Sequence, residues 1–175
     1  MKTSQALVIL DAQANMFDEE FCIYKADRII KVLSSLIEEA RGKGVLVIYM
    51  RNNGGEGEPD EKGTPGWEIH PLLRPTAKDI VIDKQNPDAF ENTSLKGYLE
   101  AQGIEQLVIA GMQTEMCVET SVRRAVELGY EIIVVEDGHS TFDFDDMKAV
   151  DEINRVNVEL QAIAQVVSAD KIEFK

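Results

Sequence analysis

Cys117 lies near the end of a stretch, Leu107-Val108-Ile109-Ala110-Gly111-Met112-Gln113-Thr114-Glu115-Met116-Cys117-Val118, in which an apolar run breaks at a glycine and a helical pattern begins. Val118, Val122, Ala125 and Val126 fall at helical spacing over residues 116–128, so the sulfur is expected in the first turn of a helix. Unpaired N–H groups there favour an anion, which lowers a thiol pKa and raises its thiolate fraction. The linker over 111–115 would bring further N–H groups near the sulfur, as an acyl-transfer site needs to hold a developing oxyanion. Amide and ureido carbonyls are poor electrophiles, and attack by a thiolate splits their hydrolysis into two easier steps. That chemistry also needs a carboxylate to carry the thiol proton to the leaving amine, and a cation to hold the thiolate. Asp11, after the run Ala6-Leu7-Val8-Ile9-Leu10, and Lys84, after Ile80-Val81-Ile82-Asp83, are groups of those types at the ends of apolar runs. Taken singly, each has a plainer reading: a packed small residue, a capping carboxylate and a surface lysine.

Positioning such groups falls to an alternation of strands and helices. Residues 5–11 read as a fully buried strand, and residues 25–41 place Ile29, Ile30, Leu33, Leu36 and Ile37 on one helical face before Gly42 and Gly44 stop the helix. Further strands are expected at 45–50, 79–83, 106–110 and 131–136, with helices at 94–102 and 116–128. Residues 145–165 are helix-like with an interruption near the middle, and Val166-Val167-Ser168 would add an edge strand. Repeated strand-helix-strand order predicts a doubly wound α/β fold, its parallel sheet covered by helices on both faces because each crossover is right-handed. One long irregular segment, 51–78, is rich in glycine and proline, and a loop of that length is functional or mobile. Its Gly55 and Gly57 lack the third glycine and following helix of a dinucleotide-binding turn. Trp67 within it either walls a pocket or anchors the loop to the core.

At 175 residues and 44% apolar content the chain is expected to form one domain, 1–175, with a sizeable core. Two cysteines, Cys22 and Cys117, make no disulfide framework, and with no basic-then-apolar leader they point to a reducing, cytoplasmic setting. Cys22 reads as ordinary packing. No apolar run reaches membrane-spanning length, so no membrane partner is expected. A net charge of −14 repels polyphosphate and argues against nucleic acid.

Gly111-Met112-Gln113-Thr114-Glu115-Met116-Cys117-Val118 resembles the G-x-x-T-x-x-C-V signature of the isochorismatase-like cysteine hydrolases, a superfamily that includes nicotinamidases and N-carbamoylsarcosine amidases. Asp11, Gln13 and Phe17 are similar to its D-x-Q-x-x-F, with one extra residue before Phe17. Lys84 followed by Ala89-Phe90-Glu91-Asn92-Thr93-Ser94-Leu95 is similar to its K…AF-x-x-T-x-L. The resemblance runs from residue 5 to about 172. It implies a mainly parallel six-stranded sheet of order 3-2-1-4-5-6, with Asp11, Lys84 and Cys117 brought to one rim as a catalytic triad. It also implies a cis peptide bond between Met112 and Gln113, an oxyanion hole from the N–H groups of Gln113 and Cys117, and assembly as a dimer or tetramer. The implied activity is hydrolysis of a small-molecule amide, carbamoyl or lactam bond through a thioester. The segments Gly63-Thr64-Pro65-Gly66-Trp67-Glu68-Ile69-His70-Pro71 and Asp137-Gly138-His139-Ser140-Thr141 look most like the subgroup that includes streptothricin hydrolase.

The chain also departs from the family it resembles. Nicotinamidases carry an Asp-x-His and a further His after the second strand to bind a metal, whereas here Met50 is followed by Arg51, Asn52 and Asn53, and the only histidines are His70 and His139. No catalytic metal and no other cofactor is therefore expected. His70 is expected to order the loop, while His139 is read either as touching substrate or as a hydrogen-bonded structural group. Gln13, Phe17, Asn53, Trp67, Met116 and His139 are the candidate substrate-binding residues, with Gln113 beside them. No arginine cluster awaits a dicarboxylate, which weighs against isochorismatase-type vinyl-ether hydrolysis. That chemistry and a non-catalytic scaffold binding a metabolite or partner are the alternatives.

Overall fold

Six strands form from the apolar runs: β1 (Gln5–Leu10), β2 (Leu46–Asn52), β3 (Ile80–Lys84), β4 (Gln106–Met112), β5 (Glu131–Ser140) and β6 (Gln165–Val167). They pair in parallel in the order β3-β2-β1-β4-β5-β6, in a computed structural model that describes residues 4–175. Four helices, α1 (Ala26–Gly42), α2 (Leu95–Ala101), α3 (Glu119–Glu127) and α4 (Ala149–Leu160), cover the sheet. Every residue of β1 is buried, because successive side chains enter two separate cores. Leu7 and Ile9 pack with Ile29, Leu33, Leu36 and Ile37 of α1, whereas Ala6, Val8 and Leu10 join Leu99 of α2, Val122 of α3 and Val156 of α4. No helix among the described residues is long and apolar enough to cross a membrane.

Three local expectations are corrected. The thiol-bearing helix begins differently, since a single π-helical turn, Thr114–Val118, precedes α3. Such turns widen a helix by one residue and are frequent at functional sites. The tail helix α4 has no interruption; it starts late, at Ala149, where the backbone N–H is capped by Asp143 Oδ1 at 2.9 Å. β5 continues past residue 136 to Ser140, because its register against β4 jumps from Ile109↔Val134 to Gly111↔His139 through a bulge. The Asp137-Gly138 pair lies in that bulge, and a Cβ on Gly138 would sit 2.6 Å from Val135 Cγ1.

Gly111 occupies a place in β4 where no side chain fits. Its φ is +127°, and a Cβ there would overlap the Leu10 carbonyl oxygen one residue before Asp11. Gly111→Ala should therefore lower the unfolding free energy by about 3 kcal/mol, read from denaturant midpoints at constant slope.

Candidate active site

Asp11 follows β1 directly and takes a left-handed backbone, φ 46°, with its N–H donating to Met50 O at 2.9 Å. An aspartate tolerates that conformation better than most residues, and it turns the carboxylate across the end of the sheet. Lys84 is the last residue of β3, and Cys117 lies in the π-helical turn after β4, so three crossovers deliver these groups to the carboxyl rim. There they meet. Lys84 Nζ lies 3.1 Å from Asp11 Oδ2 and donates to Cys117 Sγ at 3.3 Å. It also faces Asn52 Oδ1 at 3.3 Å and Asn86 O at 3.1 Å, so four acceptors share three ammonium protons. Asp11 and Lys84 are each only 2% exposed, while Cys117 is half-buried. Asp11 Oδ1 is buried without a hydrogen-bond partner, which leaves it able to take a proton.

Electrostatics at the three groups is set by burial and by each other. Burial holds the Asp11 carboxyl above its ordinary range even though Lys84 pulls the other way. Burial pulls the Lys84 ammonium down, but the charges of Asp11 and Cys117 outweigh it and keep it above its usual value. The Cys117 thiol is pushed up to about 12 by burial and by the Asp11 charge, against the opposing pull of Lys84. This reverses the lowered thiol pKa expected from a helix N-terminus. At neutral pH the resting sulfur is therefore held as a thiol.

The substrate-binding candidates separate sharply. Gln13 is fully buried: its Nε2 donates to Asn52 O at 2.9 Å and Trp67 O at 3.0 Å, and its Oε1 accepts from Asn52 N at 2.8 Å. Its amide clips the long loop to β1 and β2 instead of facing a ligand. His139, 1% exposed, bridges Thr114 Oγ1 at 2.9 Å and Asn157 Oδ1 at 2.8 Å, so it is the structural group of its two readings. Trp67 anchors the loop, its indole N–H donating to Asn53 Oδ1 at 2.7 Å under the Arg51 guanidinium at 3.5 Å. That bond also engages the Asn53 side chain. Phe17 is half-buried, edge-on to His70 at 4.9 Å, and Met116 stands 45% exposed beside Cys117. His70 Nδ1 accepts from Leu72 N at 3.3 Å and so orders the short turn Pro71–Leu73. The Met112–Gln113 peptide bond is cis. Among the described residues no three His, Cys, Asp or Glu side chains converge as a metal site would need.

Sequence reasoning missed Asn52 and Asn86, which hold the ammonium. Asn52 had a detectable signal, since it ends β2 as Lys84 ends β3 and the two are register partners.

His139 carries a pH prediction. Burial holds its pKa below 6.5, so the unfolded chain binds the proton more readily than the folded one. The stability contribution is present in full above pH 6.5 and is lost as pH falls through the lower folded value. The urea midpoint should drop between pH 7.5 and pH 5 in wild type, and His139→Gln should show a smaller drop.

Comparison with known proteins sharpens this picture. The chain is 34% identical over 139 residues to streptothricin hydrolase from Streptomyces noursei, a match covering 79% of this chain and 50% of that protein. The chain thus spans about half the length of the curated relatives it matches first. It is 29% identical over 174 residues to ureidoacrylate amidohydrolase from Agrobacterium fabrum, covering 78% of this chain and 76% of that one. Among solved structures, an isochorismatase from Pseudomonas putida KT2440 superposes with a TM-score of 0.91 at 28% identity, over 97% of this chain and 90% of the other. N-carbamoylsarcosine amidase from Thermoplasma acidophilum gives 0.84 at 26% identity, over 98% and 100%. The family profile described as Isochorismatase domain matches residues 5–171, which leaves only the two termini outside it, and the chain therefore belongs to the isochorismatase family.

Proposed function

We propose that this chain is a cysteine-dependent hydrolase of a small-molecule amide, carbamoyl or lactam C–N bond. One observation carries the reading: a carboxylate, an ammonium and a thiol from three separate segments lie within hydrogen-bonding reach of one another at the sheet rim. Asp11 takes the thiol proton as Sγ bonds to the substrate carbonyl carbon, and Lys84 holds the sulfur's charge. The N–H groups of Gln113 and Cys117 receive the oxyanion. Asp11 then protonates the departing nitrogen as the C–N bond breaks, leaving a thioester on Cys117. A water gives its proton to Asp11 and attacks the thioester, the acid leaves, and the proton returns to Sγ. Phe17 and Met116 are the side chains left to contact a substrate. The names of the relatives, an amidohydrolase and an amidase among them, support a C–N bond over a vinyl ether. A reaction that needs free Sγ fits the cytoplasmic setting expected from the cysteine count.

The test is ammonia or amine release from a panel of primary amides, carbamoyl compounds and lactams, with Cys117→Ala alongside. Release that requires Cys117 is expected from at least one class. Equal release by both proteins would overturn the assignment.

A further inference from the structure

The ammonium at the centre of the triad is held from outside as well as from within. Asn52 Oδ1 accepts from Lys84 Nζ, and the same carboxamide's Nδ2 donates to Asp60 Oδ2 at 2.7 Å. Only this orientation of the amide satisfies both neighbours, since an ammonium can only donate and a carboxylate only accept. The Asn52 backbone is fixed independently by its two hydrogen bonds with the Gln13 carboxamide, which donates to Asn52 O and accepts from Asn52 N. Asp60 belongs to the long loop between β2 and β3, and it reaches Asn52 because the loop closes against Gly54. Gly54 N donates to Asp60 O at 2.9 Å, and a Cβ on Gly54 would overlap the Asp60 carboxylate. Asp60 forms no ion pair among the described residues, so its charge is directed along this chain of bonds.

We propose that Asp60 is a positioning residue for the triad: through the Asn52 carboxamide it fixes the Lys84 ammonium, so that docking of the loop and assembly of the site are one event. This rests on the proposed hydrolysis only for its rate consequence. The charge of Asp60 has a second effect, because it disfavours ionised Asp11 and so makes that carboxylate a better acceptor for the thiol proton. The charged or titratable groups acting on Asp11 are Lys84 from β3, Cys117 from the π-helical turn and Asp60 from the loop.

Three variants separate the parts. Asp60→Asn keeps an acceptor for Asn52 and removes the charge, Asp60→Ala removes both, and Gly54→Ala leaves the carboxylate intact but displaces it. Full-length protein labelled with 15N-lysine and 13C-carboxyl aspartate is observed by NMR, with Lys84→Met and Asp11→Asn to assign the two signals. A slowly exchanging Lys84 ammonium resonance is expected in wild type and in Asp60→Asn, and its loss in Asp60→Ala and Gly54→Ala. The Asp11 titration midpoint should move down in Asp60→Asn. On a substrate from the amide panel, Asp60→Ala should lower kcat about tenfold with KM nearly unchanged, as misplacement of a catalytic group does. A Lys84 resonance unchanged in both Asp60→Ala and Gly54→Ala would overturn the proposal. A wild type that releases no amine while its Lys84 resonance still depends on Asp60 would defeat the hydrolase reading and uphold the positioning chain.

Discussion

In Lys84→Met, amide hydrolysis should fall about 1,000-fold and the fold should lose about 3 kcal/mol, whereas adding Asp11→Asn should restore the stability and leave the hydrolysis lost. Lys84 and Asp11 are both buried, and their attraction offsets part of the cost of removing two charges from water. Removing the ammonium alone strands the Asp11 carboxylate, whose Oδ1 already lacks a partner. Its pKa, raised by burial even in the presence of Lys84, must rise further. A raised folded pKa means that the folded chain binds the proton more tightly than the unfolded one. The deficit is therefore greatest at high pH and shrinks as pH falls toward the ordinary carboxyl value of 3.8. Urea midpoints at pH 8 and pH 5 check this: the gap between Lys84→Met and wild type should narrow at the lower pH. The double variant places two neutral groups where an ion pair stood and should show little dependence of that gap on pH. An equal loss of stability in single and double variants would mean that Lys84 acts through packing alone.

Why the sheet was legible and the site only partly so follows from the range of the forces involved. Apolar runs such as Ala6-Leu7-Val8-Ile9-Leu10 are local signals, and burial on both faces leaves them unbroken by polar residues. The ends of those runs then mark the rim, and Asp11 and Lys84 stand at two of them. The state of Cys117 is not a local property. A helix start alone predicts a lowered thiol pKa, but the carboxylate that raises it comes from the end of β1, brought close by the pairing of β1 with β4. Gln13 misled, and His139 was left with two readings, for a related reason. An amide or imidazole near a motif looks available to a ligand until its partners are known, and theirs are Asn52 and Trp67 backbone atoms in one case and Thr114 and Asn157 in the other. The length of β5 was hidden because the apolar run Ile132-Ile133-Val134-Val135 stops at Glu136, and only the register against β4 reveals a bulge.

Asp11→Asn should separate two properties that usually travel together in a cysteine enzyme: hydrolysis should fall about 10,000-fold while alkylation of Cys117 becomes faster. Of the influences that hold the thiol at about 12, burial remains in the variant, but the Asp11 charge and its hydrogen bond are gone. The pull of Lys84 toward thiolate is then unopposed by any neighbouring anion. The titration of Cys117 must move down, and an ammonium-thiolate pair forms at a pH where wild type keeps the proton on sulfur. A thiolate needs nothing more to react with iodoacetamide, since iodide leaves without a proton. An amide nitrogen does need one, and the carboxamide that replaces the Asp11 carboxyl cannot supply it. The measurement is the alkylation rate against pH in a Cys22→Ser background, because Cys22 is exposed and would otherwise contribute. The rate should reach half its plateau at lower pH in Asp11→Asn than in the Asp11 protein, and adding Lys84→Met should reverse the shift. Slower alkylation in Asp11→Asn at every pH would show that the Asp11 carboxylate favours the thiolate in the resting site, and the reading that its charge holds the proton on sulfur would have to be abandoned.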